Sequence, residues 1–352
     1  MQNRMTPRLA VLSRALATLP LLATVLAPAA NANPTAAEVN VYSARQEALI
    51  RPVLDDFTAK TGIKVNLVSA KADALLQRLK SEGRNTPADV LLTVDAGNLG
   101  AAKDAGLLHA LKSDLVKKAV PAHYRDNDGL WTGLSLRARP VFYARDRVKP
   151  EQLSTYAALT GQPWKGKICV RSSDNIYNQS MVAAMISNEG EKKTEAWVKG
   201  LVGNFARPPK GGDRDQIKAV AAGQCDLAIA NTYYYAEMLK SDDAAERAAA
   251  EKVGVFWPDQ QGRGVHVNIS GAGIVAHAKN AANARRLIEF LAGPEAQAWY
   301  ADNNQEYPVR ADVPVSDTLK SLGDYKADKV SMSKLGANNA RAVKLMDRAG
   351  WR

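Results

Sequence analysis

The chain has 352 residues, enough for about two domains with substantial cores and too many for a single small module. Hydrophobic residues make up 46% and charged residues 24%, which argues against wholesale disorder and against a protein of many membrane spans. The formal charge of +11, from 47 Lys and Arg against 36 Asp and Glu, would suit a nucleic-acid partner only if the basic residues gathered into a patch.

Part of that charge lies in the first segment. Arg4, Arg8 and Arg14 lead into an apolar stretch over 15–27 without an acid, then Pro28 and Ala29-Ala30-Asn31-Ala32. Basic, apolar and small-residue regions in that order predict an export signal over 1–32, cut after Ala32. The apolar run is too short for the roughly 20 residues that span a bilayer, which disfavours a membrane anchor. Cleavage removes three Arg and no acid, leaving 44 basic against 36 acidic residues, or +8. No later segment is long and apolar enough to span a membrane. The mature chain is expected to be exported and soluble. Its remaining Lys and Arg are spread along helices without aromatic interleaving, so no nucleic-acid partner is expected.

From residue 38 strands and helices alternate. A strand is predicted over 39–43, then a helix over 51–61 in which Val53, Leu54 and Phe57 share a face, Pro52 lies in the first turn and Gly62 is the stop. A second strand follows at 63–69 and a helix at 72–81 carrying Leu75, Leu76 and Leu79. The apolar run ADVLLTV at 88–94 reads as a strand buried on both faces of a parallel sheet. This half is expected to be α/β and doubly wound. Beyond it the spacing predicts extended segments at 135–143, 167–170, 225–230, 253–257 and 265–275, and helices at 179–186, 193–201, 215–222, 281–291, 294–302 and 338–348. Two α/β lobes without a flexible tether imply a packed pair with a ligand cleft between them.

Cys169 and Cys225 are the only cysteines. In an oxidising compartment they read as one disulfide, with two buried thiols on strands as the other reading; neither makes a Cys metal site, since no CxxC is present. The four histidines are scattered, and HExxH, GxSxG and GxxxxGK[ST] are absent, so enzyme templates find little support.

Tyrosine carries more information, at 11 residues against 5 Phe. Tyr233, Tyr234 and Tyr235 directly follow the apolar strand at 225–230, at the kind of strand end where open α/β sheets place ligands. Tyr42 ends the first strand, and Tyr177 lies between the strand at 167–170 and a helix. Each alone could be packing with its hydroxyl satisfied. Together, phenolate oxygens suit a hard trivalent cation, of which Fe(III) is the abundant case. A nearby guanidinium would offset the excess negative charge of four phenolates and would also permit Fe(II); Arg45, Arg137 and Arg139 are the candidates. An organic cation or sugar stacked on the rings, or an exported enzyme using Tyr as acid or base, are the competing readings.

The segments VYSARQE (41–47), PADVLLTVDAGNL (87–99), GLSLRARPVFY (133–143), KICVRSSDNIYNQS (167–180), CDLAIANTYYY (225–235), NISGAGIV (268–275), GPEAQAWYADNNQEYP (293–308) and NNARAVKLMDRAGW (338–351) resemble the periplasmic ferric-ion-binding proteins of ABC importers, sometimes called bacterial transferrins. The resemblance covers the mature chain in order, and NIYNQS with NTYY is its most specific part. It implies the two-lobed periplasmic binding protein fold of class II type. One lobe would comprise 38–136 with 267–314 and the other 137–266 with 315–352, joined by two crossing strands that act as hinges near Leu136 and Asn268. It places Tyr42, Tyr177, Tyr233 and Tyr234 on the iron-binding tyrosines, leaves Tyr235 as packing, and implies delivery to an inner-membrane ABC permease; a monomer is expected, because one lobe pair forms the whole site. Some relatives carry His where this chain has Gln46, and others a Glu beside ADVLLT, where Val94 and Asp95 stand here. These departures place the chain in the tyrosine-dominated branch and leave a fifth side-chain ligand, water or a synergistic, carbonate-like anion to complete the site. Arg137 is favoured over Arg139 as the arginine behind it.

Overall fold

A computed structural model describes residues 37–352. The predicted export signal at 1–32 lies outside them. Eleven strands are formed among the described residues, β1 (Glu38–Ser43), β2 (Lys64–Ser69), β3 (Val90–Thr93), β4 (Leu108–His109), β5 (Thr132–Ala138), β6 (Val141–Ala144), β7 (Ile168–Cys169), β8 (Leu227–Ile229), β9 (Val253–Phe256), β10 (Val267–Val275) and β11 (Tyr307–Pro308). They make two sheets, one in the order β11-β5-β10-β3-β1-β2 with β4 paired to β10, the other in the order β7-β8-β6-β9.

The helices are α1 (Arg51–Thr61), α2 (Ala72–Glu82), α3 (Ala96–Asp104), α4 (Asp114–Ala119), α5 (Ile176–Glu189), α6 (Glu191–Val202), α7 (Asp213–Ala221), α8 (Thr232–Leu239), α9 (Ala244–Glu251), α10 (Ala281–Leu291), α11 (Pro294–Asn304), α12 (Asp317–Ser321) and α13 (Ser333–Arg348). The α1 and α10 bounds match the spacing of their apolar residues, and α1 stops where Gly62 takes a left-handed conformation that a Cβ would strain.

The first sheet is mixed rather than wholly parallel. β1 pairs in parallel with β2 and β3, but β10 runs antiparallel to both β3 and β5. The extended segment expected at 135–143 is two strands: Arg139-Pro140 interrupts it, Pro140 having no N–H to give a ladder, and the chain leaves the first sheet as β5 and enters the second as β6. β10 accompanies this crossing, with Val267 opposite Ala138 and Asn268 opposite Arg137. Away from the strands, α13 packs against α3 and α5, and Gly100 and Gly336 meet so closely that a Cβ on Gly100 would stand 2.7 Å from the Gly336 Cα. Cys169 and Cys225 form the expected disulfide, Cα atoms 5.9 Å apart, between β7 and the turn before β8.

Candidate functional site

The ends of β7 and β8 each feed a helix, and those helices carry the tyrosines. Asn175 caps α5, its Oδ1 accepting from the Tyr177 N–H at 3.1 Å, so Tyr177 occupies the first turn. Tyr233 and Tyr234 also lie in a first turn, that of α8, which only Ala230 and Asn231 separate from the end of β8. Asn231 precedes α8 but does not cap it, because its Oδ1 accepts from Arg139 at 2.9 Å.

Three of the four candidate tyrosines come together. The Tyr233 hydroxyl donates to the Tyr177 hydroxyl over 3.3 Å, and the Tyr233 and Tyr234 rings are 4.1 Å apart. They line a cleft of about 600 Å³ together with Arg45, Gln46, Val94, Arg137, Arg214, Glu237, Asn303 and Glu306. Burial pushes the Tyr233 and Tyr234 phenols well above their ordinary value; Tyr177 and Asp213 add to this, while Arg137 beside Tyr233 and Arg171 beside Tyr234 pull the other way.

Tyr42, expected as the fourth of the set, stands apart from the other three. Its hydroxyl donates to the Glu82 carboxylate at 2.8 and 3.1 Å, and the Arg78 guanidinium covers its ring at 4.8 Å. Burial, and then Glu82, push its phenol up to about 12. Side chains alternate along a strand, and on β1 this one points at α2 instead of the cleft. A rigid-body movement would carry Tyr42, Arg78 and Glu82 together, so it would not turn the ring toward the other three. Tyr235, expected as packing, lies against Phe142 at 5.2 Å and donates to the Val253 carbonyl at 2.8 Å.

The three candidate arginines have different places. Arg45 and Arg137 both bond the buried Glu306 carboxylate, at 2.7 and 3.2 Å, and both donate to Ser270. Arg137 also donates to the Val94 carbonyl and stands 5.7 Å from the Tyr233 ring centre. Burial would raise the Glu306 carboxyl, but Arg45 and Arg137 more than offset it and hold it below the usual range. Arg139 is behind the cleft, donating to Asp213 at 3.0 Å, Asn231 at 2.9 Å and Asn178 at 2.6 Å. It joins the starts of α5 and α8. Arg171 completes this layer, 3.5 Å from Asp213 and 5.7 Å from the Tyr177 ring centre. Gln46 is exposed at the cleft edge.

Glu306, Arg171, Arg214 and Glu237 were not singled out from sequence. Glu306 lies in the segment GPEAQAWYADNNQEYP, but its partner Arg45 is 261 residues away, and no local spacing reports such a pair. No group of three or more His, Cys, Asp or Glu side chains able to hold a metal occurs among the described residues. The donors that converge are phenols, with guanidiniums beside and behind them. Such a set can ligate a hard cation once the phenols ionise, and the guanidiniums can hold an oxyanion next to it.

Residues 42–298 match the family of bacterial extracellular solute-binding proteins. Over 326 residues, covering 93% of this chain and 91% of the relative, the sequence is 49% identical to Iron uptake protein A1 of Synechocystis sp.. It is 31% identical to the Fe(3+)-binding periplasmic protein of Serratia marcescens, over 88% of this chain and 89% of that one. Among solved structures, the Trichodesmium protein IdiA (FutA), in complex with iron and citrate ligands, is 49% identical and superposes with a TM-score of 0.87 over 90% of this chain and 100% of its own. The Bordetella ferric binding protein is 40% identical, with a TM-score of 0.82 over 89% of this chain and 99% of its own.

Proposed function

The chain belongs to the bacterial extracellular solute-binding protein family, and from that premise we propose that it captures ferric iron in the periplasm and delivers it to the inner-membrane permease of an ABC importer. The observation that carries this reading is the cluster of Tyr177, Tyr233 and Tyr234 at the starts of two helices in one cleft. Three phenolates balance the charge of Fe(III). Arg45 and Arg137 then face the same cleft with positive charge only partly matched by Glu306, which suits a small oxyanion that completes the coordination. The Trichodesmium complex holds an oxyanion, citrate, as well as iron.

Residues 38–136 with 267–314 form one lobe in this reading, and residues 137–266 with 315–352 the other. The β5–β6 and β10 crossings act as hinges, and closing brings Arg45 and Gln46 over the tyrosines, so the loaded state is the closed one. The protein works as a monomer, is released from its signal by cleavage, and performs no chemistry on its cargo.

Ferric phenolates absorb visible light, and organic ligands here would not. Adding ferric citrate to the purified mature protein is expected to give a visible charge-transfer band that Tyr234→Phe weakens and shifts. A colourless wild type, or an unchanged band in Tyr234→Phe, would overturn the assignment.

A further inference from the structure

Asp95 follows β3, is fully buried, and is the point at which three parts of the molecule meet. Its Oδ1 accepts from the Gly97 N–H at 2.7 Å, capping α3. The same oxygen accepts from the Ser180 hydroxyl at 2.7 Å, and Ser180 lies on α5 one turn beyond Tyr177. Its Oδ2 accepts from the Asn268 side-chain amide at 2.7 Å, and Asn268 stands opposite Arg137 on the crossing strand β10.

A cap needs only the Gly97 bond; the other two are of a different kind. Asn268 is held in one orientation, since its Oδ1 accepts from the Ala96 and Ile269 N–H groups at 3.1 and 2.8 Å, leaving only its NH₂ for Asp95. The Gly97 N–H and the Asn268 NH₂ can only donate, so both Asp95 oxygens accept, and the Ser180 hydroxyl shares Oδ1. The α3–α5 approach is close as well: a Cβ on Gly97 would stand 3.3 Å from Ile176 and 3.4 Å from the Ser180 hydroxyl.

We propose that Asp95 is a positioning residue for cargo retention: through Ser180 and Asn268 it seats the Tyr177 helix against the first sheet and its crossing strand, and so governs how fast a bound cation escapes. It touches no tyrosine and does not ligate. The proposal rests on the reading that the tyrosine cluster holds iron.

The test uses the mature protein loaded with Fe(III) and challenged with EDTA, with loss of the visible band followed in time and thermal unfolding of the iron-free protein recorded alongside. Asp95→Ser keeps a capping oxygen for Gly97 but cannot span to both other partners, and Ser180→Ala removes the α5 bond alone. Ser180→Ala is expected to release iron about tenfold faster, the scale of one lost bond to a charged group, and Asp95→Ser at least as fast, with the band maximum unchanged because the ligands are unchanged. The double variant should be no faster than Asp95→Ser, since both changes break one connection. Wild-type release in Ser180→Ala and Asp95→Ser, whatever their unfolding temperatures, would overturn the proposal and leave Asp95 as a cap. A wild type that shows no band would overturn the iron reading, and this proposal with it; a wild-type band with wild-type release in the variants overturns the positioning role alone.

Discussion

Tyr42 and Tyr234 are both largely enclosed phenols, and the difference between them is what each hydroxyl can reach. Tyr42 spends its proton on Glu82, whereas Tyr234 stands beside two other phenols at the cleft wall. Tyr42→Phe should therefore keep the ferric band at full intensity and lower the unfolding free energy by about 1 kcal/mol, the net worth of one hydrogen bond. Visible titration and urea unfolding of the same variant check both halves. Acid should act on the other tyrosines. Burial holds Tyr233 and Tyr234 well above the ordinary phenol value, so both are protonated when iron arrives at neutral pH and both must give up a proton to bind it. Each exchanged proton makes apparent affinity fall tenfold for each unit the pH drops, so these two residues contribute about a hundredfold per unit, and Tyr234→Phe should reduce their share to about tenfold. Competition titrations between pH 6 and 8 measure that slope, and a flat profile would exclude phenolate ligation.

The starts of α5 and α8 are held from behind by Arg139 and from below by the Cys169–Cys225 bond, which lies just before both tyrosine segments. The cysteines are 56 residues apart, and on the chain-entropy model closing a loop of that size contributes about 4 kcal/mol. The double variant Cys169→Ser/Cys225→Ser should lose about that much in denaturant unfolding. Much at this scale was legible beforehand: α1 and α10 show one apolar face and clear ends, and the buried strands read as apolar runs. The helix α3 was not, because its first five residues are all buried and its Ala and Gly residues set no clear apolar period. The short α8 was hidden for another reason, its would-be cap Asn231 being bound to Arg139. Within the site, adjacency on the chain revealed Tyr233 and Tyr234 and their likeness to Tyr177. The direction of Tyr42 was not legible, because a strand end says nothing of which face a side chain takes when both faces are buried.

For the whole molecule, two sheets are joined by a broken strand and its antiparallel companion, with Arg45 and Glu306 attached to the first sheet and the tyrosines following strands of the second. If the loaded state is the closed one, the radius of gyration from small-angle scattering should fall when Fe(III) is added, and Tyr177→Phe/Tyr234→Phe should abolish the fall. An unchanged radius would argue for a preformed site. The net charge that first suggested an acidic polymer has a more local use, since Arg45, Arg137, Arg139 and Arg171 surround a handful of phenols. The layer beneath those phenols also bears on the order of events during synthesis. The Trp351 indole N–H donates to the Arg171 carbonyl at 2.8 Å, across 180 residues of chain, and its ring packs edge-on to Phe205 at 5.5 Å. Arg171 in turn stands over Tyr177. A chain emerging from the ribosome thus has all three tyrosines in hand long before Trp351, which braces the segment leading to Tyr177, appears.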